Sequence, residues 1–127
     1  MNRYLIDTNI VSDYLSELLP DVGMDLMDNI INAVPNLSII SQIELLSWKT
    51  DSVSEQKVKD FLKDSEIYNI DFDVVKQSVH LRRKRKMKTP DAIIAGTALS
   101  NGFILITDNE RDFANIKGLK IINPLKL

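Results

Sequence analysis

Short apolar runs alternate with stretches in which apolar residues recur every three or four positions, and the alternation persists along the chain. Residues 3–6 read as a first buried strand, and residues 9 to about 19 as a helix stopped by Pro20. Residues 25–34 keep the helical spacing through Leu26, Ile30, Ile31 and Val34. Residues 37–40 give a second strand, after which Ser41 opens a helix carrying Ile43, Leu45, Leu46 and Trp48. Residues 55–64 form an amphipathic helix with Val58, Phe61 and Leu62 on one face. Residues 66–70 read as a strand, and Asp71 caps the helix that follows. Thr89-Pro90-Asp91 is a helix start, with Thr as cap and Pro at the first helical position. That helix ends at Asn101-Gly102, and residues 103–106 and 120–122 supply the last strands.

Strands alternating with helices imply a parallel α/β sheet covered on both faces, which binds ligands beyond the carboxyl ends of its strands. The 127 residues suit one domain and contain no internal repeat, linker or low-complexity tract. With 44% hydrophobic and 27% charged residues the chain has material for a real core, so disorder is not expected. The absence of cysteine excludes a disulfide framework, a thiolate metal site and a cysteine nucleophile. No apolar run approaches the roughly 20 residues of a membrane span, and Asp7 interrupts the N-terminus too early for a secretory signal. A cytoplasmic protein that does not engage membranes is the expectation. The net charge of −2 does not argue against nucleic acid, because several acids drawn into one cleft would leave the remaining surface slightly basic.

The acids carry the candidate chemistry. Asp7 stands where the first strand ends, Glu44 in the first turn after the second, and Asp91 in the first turn of its helix. Asp108 follows the strand ending at Ile106-Thr107, with Asp112 four residues on. In a parallel sheet these positions gather near one crevice, with Asp91 placed least directly because no clear strand precedes its helix. Each acid also has a local role available. Asp7 can cap a helix, Ser41 and Glu44 can form a capping box, Asp91 suits a helix dipole, and Asp108 and Asp112 suit turns. Together, converging carboxylates repel one another unless a cation joins them. Hard oxygen donors without Cys or His suit Mg²⁺ or Mn²⁺ rather than zinc. Mg²⁺ so held can activate water for in-line attack at phosphorus. The single histidine, His80, lies mid-helix before a basic run and is read as structural, which leaves a serine–histidine triad without support.

Four ordered pieces resemble the PIN-domain family, and within it the VapC-type toxin ribonucleases of toxin–antitoxin pairs. They are Tyr4-Leu5-Ile6-Asp7-Thr8-Asn9, Ser41-Gln42-Ile43-Glu44-Leu45, Thr89-Pro90-Asp91-Ala92-Ile93-Ile94-Ala95 and Ile106-Thr107-Asp108-Asn109-Glu110-Arg111-Asp112-Phe113. The resemblance spans essentially residues 1–127 as one PIN domain. It implies a three-layer α/β/α fold with a central, mostly parallel sheet of about five strands. It also implies Mg²⁺-dependent endonucleolytic cleavage of RNA, a homodimer and a cognate antitoxin. Asp7, Glu44 and Asp91 match the family's first three catalytic acids. The fourth is Asp112, by the spacing of its Asp-Phe pair, or Asp108, close enough to reach a metal through water. Thr8, Thr107 and Asn109 would orient carboxylates or metal waters, or serve as cap and turn residues.

Arg82-Arg83-Lys84-Arg85-Lys86-Met87-Lys88 places six cations just before Asp91. Arg82, Arg83 and Arg85 are candidate contacts to RNA phosphates, with salt-dependent binding. A solvated helix end, which also favours cations, is the plainer reading. Trp48 and the methionines are read as core or interface. Leu15, Leu18, Leu19 and Leu26 exceed what a small core needs and suggest a partner surface. Two rivals from other classes remain. One is a catalytically inactive PIN domain that binds RNA or protein, which would have no reason to keep repelling acids. The other is a receiver- or phosphatase-like domain, for which Asp7-Thr8-Asn9 lacks the acid two residues on.

Overall fold

The computed structural model describes residues 3–127. Its chain order is β1 (Tyr4–Ile6), α1 (Thr8–Leu15), α2 (Asp21–Asn32), β2 (Asn36–Ser38), α3 (Ile39–Leu46), α4 (Ser52–Lys63), β3 (Glu66–Tyr68), α5 (Phe72–Lys84), α6 (Thr89–Asn101), β4 (Ile104–Ile106), α7 (Glu110–Phe113) and β5 (Ile121–Ile122). The strands form one sheet in the order β3-β2-β1-β4-β5, and every pairing is parallel. Helices on both faces complete the three-layer α/β/α arrangement of a PIN-like fold.

The two-residue period of a strand divides the core. Ile6 and Ile106 pack with Ile10, Val11, Met27, Leu37 and Leu45 on one face. Their neighbours Leu5 and Leu105 pack with Ala92, Ala95, Phe103 and Phe113 on the other. Both central strands are therefore apolar at consecutive positions, as strands covered on two sides must be. On the second face α6 approaches α5 closely through Gly96, where a methyl group would stand 2.7 Å from Ser78 Oγ and 3.1 Å from the Val74 carbonyl oxygen.

Several boundaries differ from those read in the sequence. The first helix ends at Leu15, because Glu17 turns the chain through a left-handed conformation (φ 57°). Pro20 is the N-cap of α2, which consequently begins at Asp21 rather than at 25. Leu19 is buried in the core, and Leu15 and Leu26 pack against it, so only Leu18 of that quartet is exposed. The second strand stops at Ser38, whose hydroxyl accepts from the Ile40 amide and starts α3 three residues before Ser41. The capping box of Ser41 and Glu44 therefore does not form. Asp51 caps α4 by accepting from the Ser54 amide, so that helix begins at Ser52 rather than at 55. Asp71 caps α5 as expected, and Gly102 closes α6 with φ 68°. Thr89 lies inside the first turn of α6 while Lys88 occupies the N-cap without a side-chain bond. No helix among the described residues is long and apolar enough to cross a membrane.

Candidate active site

Parallel strands end on one edge of the sheet, and β1 and β4, paired Ile6 to Ile106, deliver Asp7 and Thr107 there side by side. Asp7 caps α1. Its Oδ1 accepts from the Thr8 amide at 2.8 Å, and its Oδ2 accepts from the Thr107 hydroxyl at 2.8 Å. Thr107 Oγ1 in turn accepts from the Asn109 amide at 3.0 Å. Both Asp7 and Thr107 are buried, and the two donors hold the carboxylate in a fixed orientation.

Glu44 projects from the middle of α3 toward α1, where the Thr8 hydroxyl donates to its Oε1 at 2.6 Å and lies 2.9 Å from Ser41 Oγ. Asp91 enters from the first turn of α6. Asp7, Glu44 and Asp91 line one open cleft of about 570 Å³, with Thr8, Ser12, Trp48 and Asn109 among its other walls. The late acids stand behind that wall. Asn109 caps α7 by accepting from the Asp112 amide at 3.2 Å, while its own amide group donates to Asp112 Oδ2 at 2.9 Å. Asp108 immediately precedes this cap. Neither Asp108 nor Asp112 lines the cleft itself, although both bear on it electrostatically.

Burial pushes the Asp7 carboxyl up to about 6, from an ordinary 3.8. The bonds from Thr107 and Thr8 oppose that rise, while the charges of Asp91 and Asp108 add to it. Asp91 is also raised, first by burial and then by Asp112 and Glu44, against the pull of Lys88. Acids from separate segments thus feel one another across a single cleft, and a cation would relieve all of them. The donors are hard oxygens without histidine or cysteine, a set suited to Mg²⁺ or Mn²⁺. Among the described residues no three acidic, histidine or cysteine side chains form a ready-made ligand cluster. Three of the five carboxylates are instead tied to neighbours, Asp7 to Thr107, Glu44 to Thr8 and Asp112 to Asn109. An open set of this kind fits Mg²⁺, which binds through one or two carboxylates and keeps several waters.

Other assignments shift. Trp48, read as core or interface, is exposed on the rim of the acid cleft. Ser12 also lines the cleft, and sequence reasoning missed it; its signal was its place one helical turn after Thr8. The basic run divides three ways. Arg82 donates through Nε to the Met87 carbonyl, and Arg85 donates to the carbonyls of Asp112 and Ala114, both at 3.3 Å. Arg82 and Arg83 border an apolar groove with Thr89 and Ile93. Those two residues lie two positions either side of Asp91, hence about 160° round the helix from it. Lys88 is the cation of the run that acts on Asp91. His80 is exposed on α5, away from the cleft.

The PIN domain family model matches residues 4–119. Among solved structures, the chain is similar to a toxin–antitoxin complex from Klebsiella pneumoniae, at 33% identity and a TM-score of 0.76, covering 98% of this chain and 99% of that one. It is also similar in fold to DNA-bound VapBC from Salmonella typhimurium, at 22% identity and a TM-score of 0.78 over 98% and 99% of the two chains. VapBC2 from Rickettsia felis, bound to a DNA fragment from its promoter, gives 22% identity and a TM-score of 0.76 over 94% and 97%. No curated protein sequence matches the chain significantly.

Proposed function

The chain belongs to the PIN-domain family, and from that premise we propose that it is a VapC-type toxin, a divalent-metal-dependent endoribonuclease kept in check by a cognate antitoxin. The observation that carries this reading is the meeting of Asp7, Glu44 and Asp91, from three distant segments, in one cleft at the carboxyl edge of the sheet. The similarity to the Klebsiella pneumoniae toxin–antitoxin complex supports the toxin role. We read residues 1–127 as one PIN domain acting on RNA in the cytoplasm as a homodimer. Exposed Ile43, Leu46 and Trp48 on and after α3 offer the kind of apolar surface that protein partners cover.

Asp7, Asp91 and Glu44 would hold Mg²⁺ or Mn²⁺, with Asp112 completing the set and Asp108 adding negative potential beside Asp7. A divalent ion bound there supplies a Lewis acid to the scissile phosphate and lowers the pKa of water beside it. Thr107 and the Thr8 amide fix both oxygens of Asp7, and the Thr8 hydroxyl fixes Glu44. One residue, Thr8, therefore helps orient two of the three cleft acids. Asn109 sets the side chain of Asp112 in the same way. Lys88, whose charge acts on Asp91, would meet the substrate's phosphates.

The test is cleavage of RNA by the purified protein, with mapping of new 5′ and 3′ ends. Cleavage should require Mg²⁺ or Mn²⁺, stop on chelation, and be lost in Asp7→Asn. RNA left intact in both metals, or undiminished cleavage by Asp7→Asn, would refute the proposal. An inactive PIN module would bind RNA and leave it whole in every arm.

A further inference from the structure

We infer that a second, basic groove, between α5 and the loop after α7, holds the phosphate backbone of RNA that runs out of the acid cleft. The groove encloses about 330 Å³ and is bordered by His80, Lys84, Arg85 and Lys117, with Gln77 and Asn115 as further polar walls, Leu81, Leu99 and Ile116 as an apolar floor, and no acidic residue. Positions 77, 80 and 84 share one face of α5 by helical spacing, over a floor that includes Leu81. Lys117 reaches the groove from a different segment. The dipole at the end of α5 accounts for cations at 82–84. It does not account for Lys117, nor for a groove wall without a carboxylate in a chain whose net charge is −2.

The two lysines of the groove are available to a ligand. Among the described residues the ion pair is Lys126 with Glu110, which involves neither of them. Lys84 and Lys117 are exposed. Arg85 is half-buried and already oriented by the carbonyls of Asp112 and Ala114, so its guanidinium is fixed at the groove's edge. The same bonds place the groove beside the cleft. Asn109, at the start of α7, lines the acid cleft, and Asn115, just past its end, lines the basic groove. Only the four residues of α7 and Ala114 lie between, and the helix spans about 6 Å. A polyanion leaving the carboxylates meets positive charge just beyond that helix. Phosphodiester backbone fits the groove's rim because Lys84, Lys117, Gln77 and Asn115 supply spaced donors around the apolar floor.

The inference rests on the nuclease reading for the identity of the polyanion, and it is tested by binding rather than by cleavage. Fluorescein-labelled poly(U) is titrated with the full chain carrying Asp7→Asn, with and without Lys84→Gln and Lys117→Gln, over a range of salt. Loss of two phosphate contacts should flatten the slope of log K against log salt by about 1.4. Raising salt fourfold should then cost the double variant about sevenfold less affinity than it costs its parent. Lys57→Gln with Lys63→Gln, exposed on α4 and outside both grooves, should leave the slope unchanged. An unchanged slope in the Lys84 and Lys117 variant would overturn the inference. So would displacement of the RNA by polyglutamate as readily as by unlabelled poly(U). Failure of the nuclease reading shows separately, as intact RNA in the cleavage assay.

Discussion

Asp7→Asn should stabilise the metal-free protein at neutral pH while abolishing its activity. Burial raises the Asp7 carboxyl from 3.8 to about 6, so the folded chain holds a proton there over a range in which the unfolded chain has released it. The stability this contributes is fully present below about 3.8 and is lost as pH rises through about 6. A rise of that size makes the ionised carboxylate a burden of about 3 kcal/mol on the fold at pH 7. The asparagine removes that charge but offers Thr107 a poorer partner, which returns about 1 kcal/mol. A net gain of about 2 kcal/mol remains, or roughly 5–10 °C in Tm for a chain of this length. Urea unfolding of both proteins in EDTA at pH 7 and pH 4 measures it, since other titrating groups largely cancel in the difference. The advantage of the variant should be present at pH 7 and absent at pH 4. Adding Mg²⁺ at pH 7 should narrow it by stabilising the wild type. A variant less stable than wild type at pH 7, or a difference that does not change with pH, would refute the electrostatic account of the site.

Thr8→Val should lower cleavage about 10- to 100-fold by freeing Glu44, with a change in Tm of only a few degrees; single-turnover kinetics beside a thermal melt separates the two. Asp112→Asn should reduce cleavage more than Asp108→Asn, because Asp112 acts on Asp91 and is clamped by Asn109; equal losses at saturating Mg²⁺ would contradict the ordering. Gly96→Ala should destabilise the fold by about 1–3 kcal/mol, because its methyl group meets a backbone carbonyl as well as Ser78; urea midpoints read this directly.

The layer architecture was legible because burial on two faces leaves a plain mark. Leu5-Ile6 and Leu105-Ile106 are apolar at consecutive positions, and that excludes a strand with one wet face. Gly102 and Asp71 were legible for the same reason, since each residue type answers one backbone requirement. The starts of α2, α3 and α4 were not. At each, two polar or breaking residues stood within a few positions of one another, and a local rule cannot choose between them. Ser38 and Ser41 are equivalent N-caps by type, and what decides between them is that β2 must stop at Ser38 to pair with Tyr68 of β3. That is a tertiary constraint with no local signature.

The same distinction explains the site. Asp7 and Glu44 could be placed because strand ends and the helices that follow them share one edge of a parallel sheet, whereas α6 follows α5 with no strand before it, so that rule did not reach Asp91. What each carboxylate bonds to could not be read, because the partners lie far off in sequence: Thr107 is 100 residues from Asp7, and Glu44 is 36 from Thr8. Loss of the capping box changes the meaning of Glu44. A glutamate bonded back to its own helix would be spent on the fold, whereas this one is held by a hydroxyl from another helix and faces the cleft. Its carboxylate adds to the burial and repulsion that already raise Asp91. Such an arrangement lowers the stability of the bare fold, and a positive charge entering the cleft would relieve it.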